Sequence, residues 1–165
     1  MPDHKLTHEI QQAIKKVQVF LQQHPKLHAT ARIAVADGIV AISGSQKFSD
    51  DHLAFKFARE AYGVDLKSPS LLADLRVMAA GYHFEKREGW EVDNCAESHL
   101  WMTLFALHRS HAIEKQAPRH RHHHPKLLHI AVCELDRKNR GKQDSPCQNC
   151  RQWVRKEFLT VNGTK

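Results

Sequence analysis

Hydrophobic positions recur at helical spacing in the first part of the chain. Between positions 4 and 22 they fall every three or four residues, which predicts an amphipathic helix. These positions are Leu6, Ile10, Ala13, Ile14, Val17, Phe20 and Leu21. Pro25 follows the pattern and helps to end the helix, because proline cannot donate a backbone hydrogen bond.

Two short apolar runs follow, at positions 31–36 and 39–43, with Asp37-Gly38 between them. An Asp-Gly pair between β-prone runs predicts a two-residue hairpin, since a type I′ turn needs positive φ at both positions. Both runs are apolar on both faces. That pattern is typical of a sheet covered by helices on each side, so the sequence predicts a three-layer α/β/α arrangement.

The rest of the chain predicts four more helices and two more strands. The helices are expected from Ser49 to about Ala61, from Ser68-Pro69 to Gly81, over 96–109, and from Ser145-Pro146 to about Phe158. The strands are expected over 127–133 and 159–161. Helices and strands therefore mix along the chain, as in an α/β fold.

Composition narrows the class of protein. The chain has 165 residues, 41% of them hydrophobic and 26% charged, which is typical of a single globular domain and excludes a collagen-like or disordered chain. No apolar run reaches the length of a membrane span. The first five residues, Met1 to Lys5, lack the apolar core of a signal peptide. We therefore expect a cytoplasmic protein without membrane partners, with non-classical delivery as an effector left open.

The chain is basic. Lys and Arg number 25 against 18 Asp and Glu, which gives a formal net charge of +7. Such a balance favours anionic partners such as nucleic acid, nucleotides or an acidic membrane surface. A basic surface with no such partner remains the alternative.

Four cysteines are too few for a disulfide scaffold in a chain of this length. Cys147 and Cys150 are close in sequence, while Cys95 and Cys133 stand apart. Without a signal peptide, this usage indicates metal or redox chemistry before it indicates disulfide bonds.

Two segments carry the candidate chemistry, and each is expected at the start of a helix. They are Asn94-Cys95-Ala96-Glu97 and Ser145-Pro146-Cys147-Gln148-Asn149-Cys150-Arg151-Gln152. Cys147 and Cys150 are three residues apart, so both sulfurs lie on one helix face and can bind one metal ion. Pro146 at the first helical position leaves the helix start intact, where free N–H groups favour thiolates.

Cys95 supplies a third thiolate in the same way, which leaves the fourth position of a tetrahedral ion open to water. Glu97 lies two residues further on, so its side chain points in a different direction from that of Cys95. We therefore expect Glu97 to act on the water as a proton acceptor and donor, not as a ligand. A structural zinc knot with a histidine as fourth ligand is the alternative.

The two motifs resemble those of the cytidine deaminase-like superfamily, whose related H-x-E…P-C-x-x-C pattern marks zinc deaminases. They look most like the free-nucleoside cytidine deaminases, which use cysteine as the first ligand. The resemblance implies a mixed sheet of about four to five strands whose first two strands form an antiparallel hairpin. It also implies a single domain over 1–165, with the helices at about 49–81 as an insertion. It implies one Zn²⁺ bound by Cys95, Cys147 and Cys150, with Glu97 as the catalytic residue.

The same resemblance places Arg151, with Pro146, next to the ligands, where Arg151 holds the sulfurs. Three thiolates on Zn²⁺ leave a net charge of −1, which nearby positive charge has to offset.

The expected reaction is hydrolysis of cytosine to uracil. Residues 44–93 show no Asn-x-Glu motif for a ribose, and the chain also resembles bacterial toxin-type deaminases that act on DNA or RNA. We therefore favour cytosine in a single-stranded or flipped-out nucleic acid, with free cytidine or deoxycytidine as the alternative. A toxin-type enzyme would have an immunity protein as partner. A non-catalytic, zinc-stabilised nucleic-acid-binding module is the second alternative.

Further candidates lie around the motifs. The residues expected to contact substrate are Trp90, Asn94, Arg137, Lys138, Arg140 and Lys142. The histidines at 120, 122, 123 and 124 form either a solvated loop or a binding site for metal or phosphate. Core positions are expected for Trp101, Trp153 and Cys133, and packing or surface positions for His99 and His108.

Overall fold

The computed structural model describes residues 4–23, 32–43, 52–82, 95–113, 124–134, 143 and 146–163. The longer helices are α1 (His4–Gln23), α2 (His52–Tyr62), α3 (Pro69–Gly81) and α4 (Ala96–Ile113). Two helices of four residues follow, α5 (Gln148–Arg151) and α6 (Val154–Glu157), and a short 3₁₀ helix spans Pro125–Leu127. The strands are β1 (Arg32–Ala36), β2 (Ile39–Ile42), β3 (His129–Glu134) and β4 (Thr160–Val161).

The predicted hairpin is confirmed. β1 and β2 are antiparallel, with Ala36 opposite Ile39, and only Asp37 and Gly38 connect them. Both connecting residues have positive φ, 49° for Asp37 and 75° for Gly38, as a type I′ turn requires.

The four strands form one mixed sheet in the order β2-β1-β3-β4. β1 is antiparallel to both β2 and β3, whereas β4 runs parallel to β3. The described part of the chain is therefore an α/β fold, with the expected hairpin and the lower of the two expected strand numbers.

Helices cover both faces of the sheet, as the apolar strands predicted. Along β1, Ile33 and Val35 point into one hydrophobic cluster and Ala34 and Ala36 into another. The first cluster lies under α1 and one side of α2, and we call this side the α1 face. The second lies under α3, α4, α5 and α6, and we call it the α4 face.

The predicted bounds of α3 are confirmed at both ends. Ser68 is its N-cap, Pro69 stands at its first position, and Gly81 is its last residue. Proline suits that first position because its missing N–H would have no partner inside the helix. α4 also begins where expected, but it continues to Ile113, beyond the predicted end at 109.

The last predicted helix is wrong as a single element, because it is broken between α5 and α6. Trp153 lies at the break with φ −135° and ψ −28°, outside helical values, and its side chain is fully buried. Burial of this large ring against the α4 face accounts for the break. A periodic pattern along the sequence does not reveal such a change of direction.

One end of the sheet positions the candidate site. Arg32, the first residue of β1, is opposite Glu134, the last residue of β3. The carbonyl of Arg32 accepts a hydrogen bond from the backbone N–H of Ser43, which comes just after β2. The start of β1 therefore lies beside the ends of β2 and β3. None of the helices that the structure describes has the length and apolar character needed to span a bilayer.

Candidate metal centre

Cys95 lies immediately before α4, and Ser98 fixes it there. The backbone N–H of Cys95 donates to the Ser98 hydroxyl at 3.1 Å, and that hydroxyl donates to the Cys95 carbonyl at 2.9 Å. The Cys95 carbonyl also accepts from the backbone N–H of His99 at 3.0 Å. Backbone groups at a helix start lack partners within the helix, so these bonds hold the first turn and orient the Cys95 side chain.

The second motif makes a tight turn into α5. Cys147 is the N-cap of α5, and its carbonyl accepts from the backbone N–H of Arg151 at 2.9 Å. Cys150 lies within α5 and is fully buried. The prediction that Pro146 occupies the first helical position is wrong. It lies one residue before the N-cap, where its fixed φ shapes the turn that precedes the helix.

The three sulfurs meet although Cys95 is more than fifty residues from the other two. The Sγ atoms of Cys95, Cys147 and Cys150 all lie within 4.8 Å of one another, and those of Cys95 and Cys147 are 3.4 Å apart. Zn–S bonds of about 2.3 Å in a tetrahedron place sulfurs roughly 3.8 Å apart. The spacing of these sulfurs therefore suits one tetrahedral metal ion.

Exposure differs among the three cysteines. Cys95 and Cys150 are buried, whereas Cys147 is partly exposed. Among the residues that the structure describes, no histidine, aspartate, glutamate or further cysteine joins this cluster as a fourth ligand. The described residues thus offer three soft ligands, with access from the side of Cys147.

Glu97 lies against the sulfurs without joining them. Its side chain is only 2% exposed, and its Oε2 accepts a hydrogen bond from the Cys150 thiol at 3.4 Å. Its Oε1 is also buried and has no hydrogen-bond partner among the described residues. A buried carboxylate oxygen without a partner is costly, so this atom needs a proton donor such as water or substrate.

Burial raises the pKa of Glu97 to about 7, and the negative charge of Cys147 adds to this rise. The backbone N–H of Glu97 itself, the thiol of Cys150 and the guanidinium of Arg32 act in the opposite direction, since all three favour the charged carboxylate. Arg32 begins β1, so its effect on Glu97 places the glutamate near the sheet end described above.

The three thiols divide into one thiolate and two proton donors. Hydrogen bonds from Cys150 and Cys95 lower the pKa of Cys147 well below that of a free thiol, and backbone N–H groups of Cys150 and Asn149 add to this. Donation to Cys147 raises the pKa of Cys95, and burial raises that of Cys150. Without metal, negative charge therefore concentrates on the sulfur nearest to solvent.

Arg151, which we expected next to the ligands, contacts the turn that leads into α5. Its Nε–H donates to the carbonyl of Pro146 at 2.9 Å, and its side chain lies at the surface. Arg151 thus braces the turn that carries Cys147.

All six residues expected to contact substrate, and three of the four clustered histidines, lie outside the described residues. This holds for Trp90, Asn94, Arg137, Lys138, Arg140 and Lys142, and for the histidines at 120, 122 and 123. His124 is described: its Nδ1 accepts from the backbone N–H of Lys126 at 3.2 Å, and its ring lies 5.2 Å from that of His108.

The core positions expected for Trp101, Trp153 and Cys133 are confirmed, whereas His108 is only partly buried. Trp101, Trp153 and Cys133 are buried, and His99 is fully buried in α4. Cys133 belongs to the α1 face, away from the three-sulfur cluster.

Sequence reasoning missed two residues at the centre. Ser98 carried a usable signal, since a hydroxyl three residues after a helix N-cap can accept that residue's N–H. Arg32 carried none, because its proximity to Glu97 depends on the pairing of β1 with β3.

The three comparisons made, with protein-family models, with curated proteins and with solved structures, gave no match to this chain.

Proposed function

We propose that this chain is a zinc-dependent hydrolytic deaminase of the cytidine deaminase-like superfamily, converting a cytosine base to uracil. The observation that carries the proposal is the position of Glu97. It is a buried carboxylate with one oxygen bonded to Cys150 and the other without a partner among the described residues, beside three converging sulfurs. A site that only stabilises the fold has no use for such an oxygen.

The donor set fits Zn²⁺. Cys95, Cys147 and Cys150 would hold the ion, because three thiolates at this spacing match its preference for soft ligands and tetrahedral geometry. Zn²⁺ in a site with three protein ligands supplies Lewis acidity, which makes water nucleophilic at neutral pH. Ser98 and Arg151 support the two backbone turns that present these sulfurs.

Glu97 would handle the protons. The hydrogen bond from Cys150 holds Oε2 in place, so Oε1 is the oxygen left to accept a proton from the attacking water. The same carboxyl then delivers that proton to N3 of the base, and it passes a second proton, taken from the hydroxyl that the attack leaves on C4, to the leaving amine. Its low exposure keeps bulk water from competing for these transfers.

We further propose that the cytosine belongs to a nucleic acid. The formal net charge of +7 favours a polyanion, and the basic residues 137–142 come only a few positions before Cys147 in the sequence. A single strand is the easier target, because a duplex would require the base to be extruded first.

The test is a product assay on zinc-loaded protein. The substrates are cytidine, deoxycytidine, single-stranded DNA and single-stranded RNA, and mass spectrometry identifies the deaminated product. We expect turnover of a single-stranded polymer. Glu97→Gln keeps the shape of the side chain but cannot take the proton, so activity should fall by about 10²- to 10⁴-fold while zinc remains bound.

The outcomes separate the alternatives. Turnover of the free nucleosides alone would keep the deaminase and overturn the polymer as substrate. Salt-sensitive binding of nucleic acid without product would favour the non-catalytic module. Full activity of Glu97→Gln would remove Glu97 from the mechanism.

A further inference from the structure

His99 makes a hydrogen bond that joins α4 to the sheet. Its side chain is fully buried, and its Nδ1 lies 2.7 Å from the backbone carbonyl oxygen of Ile42, the last residue of β2. A carbonyl only accepts, so the imidazole donates this bond through Nδ1–H.

The carbonyl of Ile42 needs this partner. The N–H of Ser43 bonds to the carbonyl of Arg32, so the neighbouring pair of Ile42 with Ile33 is a non-hydrogen-bonded pair of the antiparallel ladder. The polar backbone groups of Ile42 therefore point away from β1. β2 is also the edge strand of the described sheet, so no further strand meets them there.

The backbone of His99 ties the same residue to the candidate site. Its N–H donates to the carbonyl of Cys95 at 3.0 Å, and its own carbonyl accepts from the Thr103 hydroxyl at 2.7 Å. Phe55 of α2 packs edge-on to its ring, with ring centroids 6.1 Å apart. His99 is thus fixed by the sheet on one side and by the first turn of α4 on the other.

We infer that His99 is a positioning residue. By fastening the first turn of α4 to the end of β2, it sets where Cys95 and Glu97 stand relative to Cys147 and Cys150. The first turn of a helix has the fewest hydrogen bonds of its own, so an external bond there decides its position. The inference rests on the proposed function only in giving Glu97 a catalytic role, and the placement of the sulfurs is independent of it.

The test removes the side-chain N–H donor of His99 in one variant and restores an N–H at two different distances from Cα in two others. His99→Leu keeps an apolar side chain in the core but removes the N–H. His99→Asn restores an N–H at the same number of bonds from Cα, and His99→Gln moves it one bond further out. His129→Leu is the matched control, because the Nδ1 of His129 also makes a 2.7 Å bond, to Thr160, at the opposite end of β3.

Each variant is loaded with Co²⁺ in place of Zn²⁺. The absorption spectrum reports ligand geometry, and competition with a chelator reports affinity. For His99→Leu we expect a changed spectrum, affinity weaker by about 10- to 100-fold, and a fall in kcat larger than any change in KM. His99→Asn should recover most of each property, whereas His129→Leu should lower only stability.

An unchanged spectrum and affinity in folded His99→Leu would overturn the inference, as would His99→Asn that is no better than His99→Leu. If His99→Leu does not fold, His99→Gln decides: a wild-type spectrum there would show that the position of the donor is unimportant. Should the wild-type protein deaminate nothing, the proposed function fails, while the Co²⁺ measurements still decide the role of His99.

Discussion

The two faces of the sheet bury different kinds of side chain. In the described residues, the cluster on the α1 face consists of apolar side chains and the thiol of Cys133. On the α4 face, α4 and α5 bury several polar side chains among the apolar ones. These are Glu97, Ser98, His99, Thr103 and Asn149. The α1 face therefore mainly stabilises the fold, whereas the α4 face has polar side chains in place of some hydrophobic contacts and can form a site.

The largest effect on stability should come from the α1 face. Phe57 is buried there against Phe20, with ring centroids 5.2 Å apart. Phe57→Ala removes this contact and leaves a cavity, so we expect about 3–5 kcal/mol less free energy of unfolding in urea titrations. Zinc stoichiometry, measured on the protein that remains folded, should be unchanged. Loss of zinc by the folded variant would show that the two faces are not independent.

The converse change removes a thiol from the α4 face. Sharing the roughly 10–16 kcal/mol of a four-ligand zinc site among its ligands gives about 3 kcal/mol for each. Cys147→Ala should therefore weaken zinc binding by about 100-fold or more. Cys133→Ala is the matched control, since Cys133 is fully buried on the α1 face, and it should change stability but not zinc affinity. Equal losses of affinity in both variants would contradict a site confined to three cysteines.

The main residues of the site on the α4 face could be predicted from the sequence. The spacing of Cys147 and Cys150, with Glu97 two residues after Cys95, was enough to propose a cluster, because each motif is local. The sulfurs of Cys95, Cys147 and Cys150 do converge as expected, whereas the electrostatic effect of Arg32 on Glu97 was beyond reach, since it depends on strand pairing. For the same reason, sequence alone assigned His99 to packing or to the surface and missed its bond to Ile42.

The fold, like the site, was predictable where it depends on local sequence and not where it depends on tertiary packing. Local chemistry predicted the turn at Asp37-Gly38 and the ends of α3, because turn and cap residues act within a few positions. The final helix was wrong because burial of Trp153, a tertiary effect, breaks it. Element order was predictable from periodicity, whereas strand order and the pairing of β1 with β3 were not.

Acid should weaken metal binding at the α4 face. In the metal-free protein the pKa values of Cys95 and Cys150 are raised, so both thiols carry protons at neutral pH, while that of Cys147 is lowered. Zn²⁺ has to displace those two protons, so its affinity rises with pH. We expect about 10- to 100-fold per pH unit, or about 1.4–2.7 kcal/mol.

Competition with a chelator whose own pH dependence is known measures this effect. Buffers of different ionisation enthalpy in calorimetry count the protons released. A flat affinity between pH 6 and pH 8 would mean that the thiols are already ionised. The Cys147→Ala variant binds zinc weakly, so added zinc should not make its free energy of unfolding depend on pH.

The smallest expected effect on stability comes from a side chain that packs against both faces. Tyr62, at the end of α2, packs against both hydrophobic clusters. Its hydroxyl accepts from the backbone N–H of Val40 at 2.9 Å and from the Lys16 ammonium at 3.1 Å. Like the carbonyl of Ile42, the N–H of Val40 points outward from the edge strand, so a side chain provides its partner.

Tyr62→Phe removes that partner but keeps the ring, so urea unfolding should show a loss of about 1 kcal/mol. Zinc affinity should stay at the wild-type value, because Tyr62 bonds to β2 near the hairpin turn and not at the end that carries the site. His99→Leu removes the side-chain bond to Ile42 on the same edge strand and should lower zinc affinity as well. If both variants lower affinity equally, the sheet edge acts as one unit, and the distinction between a packing face and a site face fails at β2.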